Sequence, residues 1–163
     1  MKSKYLIANK YKKFGWIVLI PSAVIGLITF ISEYEPSLLD FNLPALFIDS
    51  FGAPFFQGEA KLFGMVQNNI LNEILGVLII ISSLVVAFSK EKFEDEYISN
   101  IRLDSLVWAV YINYGILLLS FIFVFDFSFF RVMVFNMFTL LLFFIIRFNW
   151  QVSKLQKSVS YAE

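Results

Sequence analysis

The chain has 163 residues, of which 59% are hydrophobic and 16% charged, and its formal net charge is zero. A soluble domain is about 45–50% apolar and about 25% charged, so the composition excludes a water-covered globule and predicts an integral membrane protein. Balanced charge provides no basic footprint for nucleic acid. Because the chain has neither Cys nor His, thiol chemistry and metal sites built on imidazole or thiolate are excluded, and we predict no cofactor.

Four apolar runs have about the length, roughly 20 residues, that a helix needs to cross a bilayer core. We predict membrane spans over 14–31, 70–88, 106–125 and 129–148. The first run follows a lysine-rich start, as in a secretory signal, but it is longer than a signal core and lacks a small-residue cleavage site. We therefore predict a retained helix there, kinked at Pro21. The predicted fold class is all-α: a polytopic membrane protein, a four-transmembrane-helix bundle in a single domain, 1–163.

A long connection follows the first span. Its central stretch reads NLPALFIDSFGAPFF, with Asn42 as a candidate N-cap, Pro44 in the first turn and a Gly-Ala-Pro stop. Since this stretch is too short to span a membrane, we predict a short interfacial helix on the outer side. Two interpretations of residues 36–62 stay open, a lid over the bundle mouth and a surface connection.

Basic residues are distributed unequally between the two sides that these spans define. With the N-terminus inside, eleven lie on the inner side and two on the outer side, which the positive-inside rule favours. We predict that both termini are cytoplasmic. The inner set is Lys2, Lys4, Lys10, Lys12, Lys13, Lys90, Lys92, Arg102, Arg147, Lys154 and Lys157, and the outer set is Lys61 and Arg131.

A polar group marks the outer end of the second span. The spacing of Asn69, Asn72 and Glu73 predicts that all three share one helix face, with Glu73 about 6 Å below the outer boundary. A carboxylate inside a membrane is a functional-site hypothesis by default. Three interpretations stay open: a structural pair with Arg131 or an orientation towards the headgroups, a proton or substrate site, and a partner contact.

A second polar set lies deeper in the predicted spans. It comprises Ser82, Ser83, Asn113, Asn136 and Thr139. Because Ser82 and Asn113 come level by helix rise, we predict a hydrogen bond between them. The set serves either as interhelical hydrogen bonding or as the lining of a polar cavity, to which Tyr111 and Tyr114 would contribute.

The hinge, residues 89–106, is a densely charged segment between the second and third spans. Its apolar side chains recur at helical spacing among the charges, which predicts an extension of the second helix past the membrane. The apolar stripe needs a cover, and three candidates stay open: the N-terminal segment, the C-terminal tail and another protein. The stripe is Phe93, Tyr97, Ile98, Ile101 and Leu106. The candidate partner surface is Phe93, Tyr97, Ile98, Ile101 and Arg102.

The run FSKEKFEDEYISNIRLDSLVWAVYINY resembles a pattern of small uncharacterised multi-span inner-membrane proteins of Bacteroidota-type bacteria. The resemblance covers Ser89 to Tyr114. It implies a bacterial inner-membrane location and places the specificity of such a family in this segment. It carries over no catalytic residue.

No nucleophile, base and orienting group converge in the sequence, so we predict that the chain is not an enzyme. The function we predict is that of an inner-membrane accessory or signalling scaffold acting through the hinge. The alternative is a small transporter or ligand-binding membrane protein that uses Glu73 and the midplane polar residues. The predicted partners are the lipid bilayer, a membrane or cytoplasmic protein, and a second copy of the chain.

Overall fold

The computed structural model describes residues 6–32, 34, 36–45, 63–92 and 94–160. Within them the chain is mostly helical and divides into two compact units, Met1–Pro21 with Leu78–Glu163, and Ser22–Val77. The elements in chain order are α1 (Lys10–Ser32), a 3-10 turn (Ser37–Leu39), β1 (Asp40–Ala45), β2 (Gly64–Asn69), α2 (Leu71–Ala87), α3 (Glu96–Phe123) and α4 (Asp126–Ser160).

Among the described residues, three helices are long and apolar enough to cross a membrane: α1, α3 and the Ser128–Ser158 stretch of α4. A helix satisfies its backbone hydrogen bonds internally, which hydrocarbon requires. Helix α2 is also apolar but has 17 residues, or about 26 Å at the α-helical rise, against a bilayer core of about 30 Å. The expected membrane-protein character is therefore supported by three helices, and the four-span count stays a prediction.

The predicted extension of the second helix into the hinge is wrong. Helix α2 does not continue into the hinge; it ends at Ala87, and helical structure resumes at Glu96. Asp95 sets this start, since its backbone is extended and its carboxylate accepts a hydrogen bond from the Ile98 N–H at 2.8 Å. Such an N-cap satisfies one of the donors that a helix start leaves free. The apolar stripe from Tyr97 onwards therefore belongs to α3.

Buried residues from all four helices form the core of the unit Met1–Pro21 with Leu78–Glu163. Small residues contribute to it, as is usual between membrane helices: Ala87 and Ala109 are fully buried, and a Cβ on Gly15 would lie 2.8 Å from Val86 Cγ2. The core members are Leu19, Ile79, Val86, Ala87, Ile98, Ile101, Ala109, Phe144, Ile145, Phe148 and Val152.

The predicted outer helix is wrong where the structure describes it, because residues 40–45 form strand β1. This strand pairs with β2 in antiparallel fashion, with Pro44 opposite Met65. Proline is tolerated at sheet edges, and both strands of a two-stranded sheet are edges. The same proline fits the first turn of a helix, which explains the error. Residues 46–62, with most of the predicted lid or surface connection, lie outside the described residues.

The turn from α3 to α4 is short, and the two helices pack against each other. The Val124 N–H donates to the Ser120 carbonyl at 2.8 Å and closes α3. Helix α4 then begins at Asp126, whose φ of 59° lies in the left-handed region. Asp and Asn visit this region more readily than other residues with a Cβ, so the aspartate suits the turn.

Candidate functional site

Arg102 and Glu94 form the centre of the hinge. Arg102 Nη1 donates to Glu94 Oε1 at 2.6 Å, and Nη2 donates to Glu94 Oε2 at 3.2 Å. This two-pronged contact matches the planar guanidinium to the carboxylate. Nη2 also donates to the Ser89 carbonyl at 3.2 Å, and Glu94 Oε2 accepts the Glu91 N–H at 2.8 Å. The pair therefore connects the start of α3 to the chain that leaves α2.

The N-terminal strap, residues 6–12, lies along the first part of the hinge. Ile7 forms a parallel bridge with Ser89: its N–H donates to the Phe88 carbonyl, and its carbonyl accepts the Lys90 N–H, both at 2.9 Å. Lys12 adds an ion pair with Glu91. Backbone and charge contacts thus join the strap to the hinge.

Phe148 of α4 lies beneath this charged layer. Its ring is fully buried, with the Arg102 guanidinium carbon 4.9 Å and Lys12 Nζ 5.8 Å from its centre. Cations over an aromatic face are attracted by the ring quadrupole, more so away from water. Strap, hinge and α4 therefore meet at one aromatic ring.

Part of the apolar stripe of the hinge is covered within the chain. Ile98 and Ile101 are buried in a cluster with α4 residues that include Phe144, Phe148 and Val152. Tyr97 differs, since 58% of it is exposed. Of the predicted partner surface, Ile98 and Ile101 are therefore core residues, Arg102 is engaged by Glu94, and Tyr97 is accessible. Phe93 lies outside the described residues.

A groove of about 360 Å³ lies between the start of α3 and the end of α4. Tyr97 and Ile101 line one side. The other side is formed by Trp150, Gln151, Lys154, Leu155 and Ser158. Sequence reasoning missed the α4 side of this groove, although an i, i+4 pair such as Trp150 and Lys154 signals a shared helix face.

Asn113, Asn136 and Thr139 form a hydrogen-bonded cluster between α3 and α4. Asn113 Nδ2 donates to Asn136 Oδ1 at 3.3 Å, and Asn113 Oδ1 accepts the Thr139 hydroxyl at 2.6 Å. The predicted bond between Ser82 and Asn113 is wrong, because the Ser82 hydroxyl donates to the Leu78 carbonyl of its own helix. A β-hydroxyl reaches that carbonyl without any tertiary arrangement.

Ser83 is buried, and its hydroxyl lacks a hydrogen-bond partner among the described residues. Tyr111 and Tyr114 are 73% and 59% exposed. The two tyrosines therefore lie largely at the molecular surface.

The predicted outer polar group is divided between a strand and a helix. Asn69 lies in β2, not on the face of α2; it is buried, and its Nδ2 donates to the Pro36 carbonyl and to Asp40 Oδ1, both at 2.7 Å. Asn72 and Glu73 are exposed in the first turn of α2, where Glu73 Oε1 accepts Asn68 Nδ2 at 2.6 Å. Asn69 therefore connects β2 to residues 36 and 40, and the pairing of Glu73 with Arg131 stays a prediction.

Within the described ranges, no group of three His, Cys, Asp or Glu side chains could hold a metal ion. Comparison of the chain with models of known families, with curated proteins and with solved structures finds no match.

Proposed function

We propose that this protein is an accessory or signalling scaffold of the bacterial inner membrane that acts through its hinge. In this proposal four spans cross the membrane and both termini are cytoplasmic. The apolar helices and the excess of basic residues at one end of them support this orientation. The strap, the hinge and the end of α4 then lie together on the cytoplasmic side.

One observation carries the proposal: ion pairs hold the described part of the hinge, while Tyr97 within the hinge stays exposed. Two ion pairs, Lys12 with Glu91 and Arg102 with Glu94, fix the chain around Phe148. A surface ordered before binding loses less conformational entropy on association. Exposed tyrosine and tryptophan side chains are also the residue types that dominate protein–protein contacts.

The test is native mass spectrometry of the protein purified gently from its own membrane. The expected result is a stoichiometric second protein that is lost in Tyr97→Ala. Tyr111→Ala is the matched control, because Tyr111 is an exposed tyrosine of the same helix, and the partner should be retained. A bare monomer or symmetric dimer for the unaltered chain would contradict the proposal.

The transporter alternative makes a different prediction for Glu73. A transporter should lose activity in Glu73→Gln, whereas a scaffold should tolerate this change and keep its partner. Labelling of Lys61 tests the orientation separately. An impermeant amine reagent should reach Lys61 from the outer side, and labelling only from the cytoplasmic side would contradict the topology.

A further inference from the structure

The groove between α3 and α4 opens beside the end of the last apolar run. That run ends at Phe148, and Trp150 follows with 62% of its surface exposed. Arg147 lies one helical turn before Trp150, and its guanidinium is 4.5 Å from the centre of the Trp108 ring. Amphipathic aromatic rings and basic side chains concentrate at the membrane–water interface, so the mouth of the groove lies at headgroup level in the proposed orientation.

The lining of the groove combines a cation, polar donors and an apolar floor. Lys154 is exposed, and its Nζ lies 6.0 Å from the centre of the Trp150 ring. Gln151 adds a neutral donor, whereas the Ser158 hydroxyl already donates to the Leu155 carbonyl at 2.7 Å. None of the described lining residues carries a carboxylate. A volume of about 360 Å³ falls within the range of small-molecule sites, about 300–1,000 Å³. This chemistry suits a phosphate with an attached apolar group.

Three acids of the hinge are engaged elsewhere. Glu91 pairs with Lys12, Glu94 pairs with Arg102, and Asp95 caps α3. These three carboxylates therefore already have partners other than Lys154. We propose that the groove binds the phosphate headgroup of an anionic phospholipid of the cytoplasmic leaflet, an inference that rests on the membrane orientation of the proposed function.

The probe is an equal mixture of phosphatidylglycerol and phosphatidylcholine in micelles, with the lipid retained by the full chain measured by native mass spectrometry. Lys154→Gln removes the cation, Lys154→Arg keeps it, and Lys157→Gln removes an equal charge outside the groove lining. We expect selective retention of phosphatidylglycerol, reduced about fivefold by Lys154→Gln, the effect of one basic contact near an anionic surface. Lys154→Arg and Lys157→Gln should change it by less than about twofold. Circular dichroism checks that each variant is folded.

Equal retention of the two lipids by the unaltered chain would overturn the inference. Equal losses in Lys154→Gln and Lys157→Gln would do so too, since they indicate diffuse surface attraction. A second protein lost on Lys154→Gln, without any lipid preference, would assign the groove to a protein instead. A different result would contradict only the scaffold function: selective retention of phosphatidylglycerol with no second protein that co-purifies.

Discussion

The Arg102 guanidinium carbon lies 4.9 Å from the centre of the Phe148 ring, and this ring is fully buried. The same guanidinium holds the Glu94 carboxylate with two hydrogen bonds. Arg102 therefore connects the charged layer of the hinge to the apolar core of α4, as Lys12 does from the strap through Glu91 and the same ring. A change at Arg102 should affect both.

Arg102→Lys is expected to lower the free energy of unfolding by about 1–2 kcal/mol. A lysine ammonium cannot contact both Glu94 oxygens and the Ser89 carbonyl in the same fixed geometry, and it cannot stack on a ring as a planar group does. SDS titration in mixed micelles, followed by tryptophan fluorescence, measures the change. Lys157→Arg, at an exposed position of α4, is the control and should have no effect. Unchanged stability in Arg102→Lys would contradict the assigned role.

Gly15→Ala is expected to destabilise the protein by about 1–3 kcal/mol, as overpacking of a core does. The new Cβ would lie 2.8 Å from Val86 Cγ2 and 3.1 Å from Val85 Cγ1, and β-branched side chains in a helix have little rotamer freedom to move away. Gly115→Ala is the matched control, since nothing lies within 4 Å of its Cβ position. The control should be neutral or slightly stabilising through helix propensity. The same titration compares the two variants, and equal effects would exclude close packing at Gly15.

Asp126→Val is expected to destabilise the protein by about 1–2 kcal/mol, because a β-branched residue is disfavoured at a φ of 59°. Asp126→Asn should be tolerated, since asparagine adopts left-handed backbone conformations readily. Thermal unfolding followed by circular dichroism separates the two variants. If valine were tolerated as well as asparagine, the turn would have to differ from the one described.

Asn113→Ala and Thr139→Val are expected to show a small coupling energy in a double-mutant cycle, about 0.6 kcal/mol. Their side chains share one hydrogen bond of 2.6 Å, and interhelical polar contacts in membranes are worth little because the unfolded state also finds partners. Pairing Asn113→Ala with Ser82→Ala should give no coupling, as Ser82 bonds within its own helix. A larger coupling through Ser82 than through Thr139 would reverse this assignment.

Glu73→Gln is expected to lower stability by about 0.5 kcal/mol through lost interaction with the N-terminal end of the α2 dipole. The hydrogen bond from Asn68 should persist, because glutamine keeps an acceptor oxygen at the same position. A cycle with Arg131→Gln tests the predicted ion pair. If each change destabilises and the double change is no worse than either, the pair is supported; additive effects would exclude it.

The apolar helices were accessible to sequence reasoning because the length of a hydrophobic run is a local property. Each of the four predicted spans overlaps one helix, α1 to α4 in order, but α3 begins ten residues before the third predicted span and α4 ends twelve residues after the fourth. The start of α3 is harder to predict. Phe93 and Tyr97 are spaced as on one helix, so the apolar stripe in the sequence continues past Asp95, the residue that caps α3. The signal that would have found it is Asp95 followed by Glu96, an N-cap and an acidic first turn.

Contacts between distant segments could not be predicted in this way. Lys12 and Glu91 are 79 residues apart, and the sequence around each residue contains no signal that predicts the ion pair. The pairing of β1 is also a contact between distant segments, since its register places Asp40 opposite Asn69. Without knowledge of the partner strand, the proline and asparagine of residues 40–45 are equally typical of a helix start. The sequence spacing accordingly predicts that Asn69 shares a helix face with Asn72 and Glu73, whereas Asn69 lies in β2 and bonds to Asp40 and Pro36.

The N-terminal strap also sets an order of events during synthesis. Asn9 and Lys90, which its side chain contacts, are 81 residues apart, so at about 5–20 residues per second the ribosome needs about 4–16 s to make the second after the first. Helix α1 is complete long before the hinge exists. The nascent chain therefore carries an unpaired N-terminal segment throughout the synthesis of α2, and a ribosome stalled before Lys90 would leave it open to chaperones and proteases.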